Sequence, residues 1–283
     1  MSSNTVLRVV HSTGYQYDGG VTASFNEARM TPVSNEEQTV MFSRMDITPA
    51  AWTHTYTDYW GTTVTGFELH QLHDDLRVVS TSTVDVHRRP DPDRSASWET
   101  LRSARITSEY AEFLDAGPLV APHPELAELI GELAARSATP AGLVDEARDL
   151  VAEGIRYLPG VTSVKTTADE VWTKGAGVCQ DLSHLLIGAL RLGGVPTRYV
   201  SGYLVAEDAS DVDQPTTGES HAWVEYWAGT WIGLDPTNRG EVGNDHVVVG
   251  HGRDYSDVAP LRGVFTGGPA TDMFVEVAIT RLR

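Results

Sequence analysis

Lys174-Gly-Ala-Gly-Val-Cys-Gln-Asp-Leu-Ser-His-Leu-Leu-Ile-Gly-Ala-Leu-Arg-Leu-Gly-Gly194 is the stretch on which the reading of this chain turns. The glycines before Cys179 predict a loop. After it, Leu182, Leu185, Leu186, Ala189 and Leu190 form one apolar helical stripe, closed by Gly193-Gly194. Cys179 is therefore expected at a helix N-terminus, where unpaired N–H groups and the macrodipole favour a thiolate. Two readings fit this segment alone: a buried helix cysteine and a nucleophile. Cys179 is the chain's single cysteine, which excludes an intrachain disulfide and a cysteine-clustered zinc site.

Downstream, His221-Ala-Trp-Val-Glu-Tyr-Trp227, Ala228-Gly-Thr230 and Trp231-Ile-Gly-Leu-Asp235 read as a hairpin. With a three-residue loop over 228–230, Trp227 pairs with Trp231, Trp223 with Asp235 and His221 with Thr237. Period-two alternation then puts His221, Trp223, Asp235 and Thr237 on one face, with Asp235 diagonal to His221 and within side-chain reach. A loop of two or four residues would turn Asp235 to the other face. Ala222, Val224, Tyr226, Ile232 and Leu234 are expected on the reverse face, against helices. A carboxylate beside the imidazole fixes its tautomer and favours the imidazolium next to a thiolate.

Other histidines compete less well. His184 lies five residues past Cys179, about 140° round the helix, and points away. His70 and His73 lack further clustered ligands, and His246 and His251 remain weaker candidates for a base. Asp208, Asp211 and Asp213 invite a calcium reading, but the run lacks the mid-loop Gly and terminal Glu of an EF-hand. A solvated or substrate-facing loop over 206–220 is expected instead. No metal and no cofactor are expected.

Outward from this centre, period-two runs over Val6–Tyr17, Thr62–His70 and Leu76–His87 predict an antiparallel sheet or small sandwich. The Arg88–Arg94 break then separates a β-rich domain, residues 1–95, from a core, residues 96–283. Helical spacing is seen over Trp98–Leu114, Pro124–Ser137 and Pro140–Tyr157, and strand signals return at 196–205, 221–227, 231–235 and 273–282. The predicted class is α+β, helices packed on an antiparallel sheet beside a β-rich N-terminal half.

Lys and Arg number 21 against 39 Asp and Glu, a net charge of −18 that repels phosphate and argues against a nucleic-acid partner. No run of 18 apolar residues exists, so no membrane span is expected. The start carries no basic segment followed by a long apolar one, so no secretory signal is expected either. The expected setting is cytoplasmic.

The order Cys179, His221, Asp235, with Gly177-Val-Cys-Gln-Asp181, Arg198-Tyr-Val-Ser-Gly-Tyr203, Ser220-His-Ala-Trp-Val-Glu225 and Asp235-Pro-Thr-Asn238, resembles the bacterial transglutaminase-like superfamily. Residues 1–90 resemble the β-rich region that often precedes that core. The mechanism favoured for these residues runs through a thioester, with Tyr157 and Trp172 as the candidates for a second oxyanion donor, on the papain-like α+β core and Cys179-His221-Asp235 triad that the resemblance implies. It implies a peptide, protein or small amide substrate. It leaves three activities open: amide or peptide hydrolysis, transfer to an amine, and a non-catalytic binding module. Hydrolysis is preferred, since nothing in the sequence marks an amine pocket and water is always at hand.

Overall fold

The computed structural model describes residues 4–88, 92–205 and 212–283. The N-terminal half is built from β1 (Thr5–Ala28), β2 (Gln38–Thr48), β3 (Trp52–Thr57), β4 (Thr63–Leu69) and β5 (His73–Val86). Helices α1 (Trp98–Leu101), α2 (Ala104–Glu109), α3 (Pro124–Arg136) and α4 (Pro140–Gly154) follow, then β6 (Arg156–Tyr157), α5 (Ala168–Lys174), β7 (Ala176–Gly177) and α6 (Cys179–Leu192). The chain ends through β8 (Thr197–Leu204), β9 (Pro215–Trp227), β10 (Trp231–Asp235), β11 (Gly240–Glu241), β12 (His246–Gly252), α7 (Tyr255–Val258), β13 (Leu261–Gly267) and β14 (Ala270–Arg281). The fold is α+β with antiparallel sheets, as expected.

The helices start where the sequence supplies caps. Thr139 and Thr167 accept from Gly142 and Glu170 N–H groups, and Pro124 and Pro140 occupy first-turn positions. The helix expected over 98–114 is instead broken. Ser103 donates to the Thr100 carbonyl and accepts from Ile106 N–H, ending one short helix and capping the next. The helix expected to reach Tyr157 stops at Gly154, because Ile155 turns extended and Arg156-Tyr157 pair in parallel with Ala176-Gly177.

Several strands carried no readable alternation. In β2 and β3 most side chains are exposed, so neither face required apolar residues. In β12 Val247, Val248 and Val249 are all buried, which erases the period-two pattern. The 206–220 loop is also corrected: β9 begins at Pro215, and its first residues pair with β14. Asp208 and Asp211 lie outside the described residues, and Asp213 donates its N–H to the Arg281 carbonyl.

One sheet joins the two halves. Strand β14 pairs with β1 along Leu7–Tyr17 and, over Val277–Thr280, with β9. The last strands of the chain therefore associate with the first. One hydrophobic core lies between the helices and the β8–β10 sheet and holds Leu182, Leu185, Leu186, Val195, Tyr199, Ala222, Val224, Tyr226, Ile232 and Leu234. The five residues expected on the helix-facing side are all in it. Trp223, on the other face, packs with Val200 and Val248.

Candidate active site

The hairpin has the anticipated register: Trp231 opposes Trp227, Ile232 opposes Tyr226, and Leu234 opposes Val224. Ala228–Thr230 form the connection, closed by the Ala228 N–H on the Thr230 carbonyl. Gly229 takes a φ of +103°, a conformation that L side chains rarely adopt. The ladder stops at Leu234, however. Asp235 goes on to pair with Gly240, and residues 236–239 turn, so the expected pairing of His221 with Thr237 does not form; on its other edge His221 pairs with Gly202 of β8.

That turn serves the carboxylate. Asp235 Oδ1 accepts the backbone N–H of Thr237 at 2.9 Å and of Asn238 at 3.2 Å. Oδ2 takes Asn238 Nδ2 at 2.8 Å and His221 Nε2 at 2.7 Å. Burial works against ionisation of Asp235, but the bonds from His221 and His246 outweigh it and hold the carboxyl far below its ordinary range.

Cys179 is the first residue of α6 and is half-buried. Its thiol acts electrostatically on His221, helping to hold the imidazole protonated. Since Asp235 occupies Nε2, Nδ1 is the ring nitrogen left for sulfur. Burial opposes a charge on His221, yet the Asp235 and Cys179 partners dominate and push its pKa up to about 10. The Val178 carbonyl receives the Asp181 and Leu182 N–H groups, so the Cys179 N–H lies in the first turn, where a helix offers no internal acceptor.

Asp181 anchors that turn. Its Oδ2 accepts from Val178 N–H at 2.8 Å and from the Thr162 hydroxyl at 2.6 Å, fastening the 158–166 segment beside Cys179. Burial, only partly offset by those bonds, raises its pKa. Gly177 has to be glycine here, because a Cβ would approach Asp181 Cβ to 2.7 Å.

The remaining candidates divide. Tyr157 is paired in register with Gly177, two residues before Cys179. Trp172 is not aimed at the sulfur, because its indole N–H is donated to Glu125 Oε2 at 3.1 Å. His184 is buried in α6 and accepts the Tyr255 N–H. His70 lies against Glu68, and His73 bonds the Gln71 carbonyl. His251 lies 3.3 Å from Glu225, which Arg198 also holds. Ligand spacing in the sequence gave no metal cluster, but the fold gathers one: ligand atoms of His221, Asp235 and His246 lie within 4.8 Å of one another. Hydrogen bonds already link them, with His246 Nε2 3.3 Å from Asp235 Oδ2.

A cysteine at a helix start and an imidazole hydrogen-bonded to a buried carboxylate, on an α+β core behind a β-rich region, define the class. The chain matches the transglutaminase-like superfamily over residues 127–236 and the bacterial transglutaminase-like N-terminal region over residues 7–85, and it belongs to the transglutaminase-like superfamily. An uncharacterized protein of Mycobacterium leprae is 41% identical over 98% of this chain and 99% of its own length. Over an alignment of 115 residues the chain is 30% identical to the protein-glutamine gamma-glutamyltransferase of Pseudomonas aeruginosa, covering 37% of this chain and 17% of that protein. A solved structure from Cytophaga hutchinsonii, provisionally named a cysteine protease, has the same fold. Its TM-score is 0.79 at 21% identity, covering 100% of this chain and 92% of that one.

Proposed function

We propose that this protein is a thiol-dependent acyl-transfer enzyme that hydrolyses an amide or peptide bond. The observation that carries the reading is the buried His221–Asp235 hydrogen bond at 2.7 Å, with Cys179, at the start of α6, acting on the same imidazole. With the proton already held on His221 as the imidazolium, Cys179 Sγ attacks the acyl carbonyl carbon as the thiolate. The oxyanion is met by the Cys179 N–H and the open first turn of α6, with Tyr157 as the second donor. His221 returns the proton to the departing amine as the C–N bond breaks, leaving a thioester. Water, deprotonated by His221, then attacks the thioester, releasing the acid and restoring the thiolate. Asp235 orients the imidazole throughout and balances its charge. No step draws on a metal or cofactor.

The substrate class is a peptide, protein or small amide, and the proposed setting is the cytoplasm without nucleic-acid or membrane partners. A second reading, transfer to an amine in place of water, is favoured by the segment similar to the Pseudomonas aeruginosa gamma-glutamyltransferase. A peptide and amide library, incubated with and without added amines, separates the two. Hydrolysis predicts acid release without amine and none in Cys179→Ala. Product formed only with amine would favour the transferase. No turnover from folded protein under either condition would favour a binding module.

A further inference from the structure

We propose that His246 is a positioning residue: a neutral imidazole that fixes the Asp235 carboxylate, and through it the His221 ring, for reaction with Cys179. The claim rests on the thiol reading above.

Without His246, the groups bonded to Asp235 are its own turn, through Thr237 and Asn238, and His221, the ring that Asp235 is meant to orient. His246 adds an outside reference. It sits on β12, which pairs with β8 and not with β10, and its Nε2 lies 3.3 Å from Asp235 Oδ2. Its tautomer is set on the far side of the ring, where Nδ1 accepts the Gly243 N–H at 3.3 Å. The single ring proton of the neutral form is thereby placed on Nε2 and donated to the carboxylate.

Packing holds the ring in that pose. Trp223 lies edge-on to His246 with ring centroids 5.2 Å apart, and stacks on His221 at 6.1 Å with an interplanar angle of 28°. The two imidazoles are 6.2 Å apart. The charged neighbours are Asp235 on β10, His221 on β9, and Arg88 after β5, whose guanidinium donates to the His246 carbonyl and pairs with Glu37. Burial first, then His221 and Arg88, work against a second cation here, and they prevail over the favourable pull of Asp235. His246 is therefore a fixed donor, and His221 carries the charge.

Because Cys179 is the single cysteine, iodoacetamide alkylation reports this site without a known substrate. The rate is to be measured at pH 7 in the wild type, His246→Leu, His246→Gln and His221→Ala, with circular dichroism confirming the fold. His246→Leu fills the space but cannot donate, and should be about tenfold slower than wild type, equivalent to one pKa unit of lost ion-pair stability. His246→Gln offers an amide N–H near the Nε2 position and should recover to within about threefold. Wild-type reactivity in His246→Leu, or a Gln variant as slow as Leu, would overturn the proposal. Should His246→Leu not fold, imidazole nitrogen NMR of the wild type at pH 7 decides the matter. The proposal requires a neutral, Nε2-protonated His246, and a charged or Nδ1-protonated ring contradicts it. A wild type no faster than His221→Ala would instead remove the thiol reading itself, and the positioning role with it.

Discussion

Cys179, His221 and Asp235 do different work, so their substitutions should fail differently. Cys179→Ala should lower turnover by about 10⁵-fold or more while leaving the melting temperature nearly unchanged, since a small residue replaces another at a helix start. His221→Ala should cost nearly as much. Asp235→Asn should cost about 10⁴-fold, because an amide facing Nε2 as donor imposes the wrong tautomer. Steady-state kinetics on any substrate from the library checks the series, and wild-type-like turnover in Cys179→Ala would end the thiol mechanism. Activity should also survive EDTA. Loss of activity restored by zinc or calcium would instead assign a metal, with His221, Asp235 and His246 as its nearest ligand set. At this scale the sequence was legible for His221 and Asp235, because strand parity and a three-residue loop fix which face each occupies. His246 was not, because its approach to Asp235 depends on β12 being carried round by the 236–245 connection, which has no periodicity to read.

Among the elements, the β8–β9 pair shows how backbone space sets the site. Gly202 on β8 faces His221 across the ladder, and a Cβ there would meet the Val247 carbonyl at 2.1 Å and the Trp223 ring at 2.4 Å. Trp223 lies flat against His221 because that Cβ is missing. Gly202→Ala should destabilise the fold by about 1–3 kcal/mol, the range for overpacking, and should lower activity by more than the unfolded fraction explains. Urea midpoints and specific activity per folded molecule, measured together, test this. Unchanged activity in the folded fraction would show that Trp223 is not needed to hold His221. The hairpin and α6 could be read because each commits one face to the core. The 98–114 segment could not, because Ser103 both ends one helix and caps another, a choice that hydrophobic spacing does not record. Strands β2 and β3 were hidden for a related reason: side chains exposed to solvent are not constrained to alternate.

Across the whole molecule, the buried charge pattern couples stability to pH. The His221 pKa of about 10 lies above the ordinary value near 6.5, so between these limits the folded chain keeps a proton that the unfolded chain releases. The resulting stabilisation is complete below about pH 6.5 and is lost as pH rises through about 10. Asp235 behaves oppositely: its lowered pKa stabilises the fold above about pH 4 and loses that effect as pH falls further. Urea midpoints should therefore fall from pH 6.5 to 10, and the fall should be smaller in His221→Gln. Equal slopes in the two proteins would contradict the assignment of charge to His221. The α+β class was legible from the change of period near residue 90, whereas the return of β13 and β14 to pair with β1 was not. Pairing over such a separation leaves no local mark in the chain.

The most direct test of the central claim, that His221 activates the thiol of Cys179, is the rate of Cys179 alkylation by iodoacetamide at pH 6.5 in the wild type and in His221→Ala. An imidazole-supported thiolate predicts a wild-type rate about tenfold or more above that of the variant and above that of free cysteine at the same pH. Equal rates in the two folded proteins would contradict it.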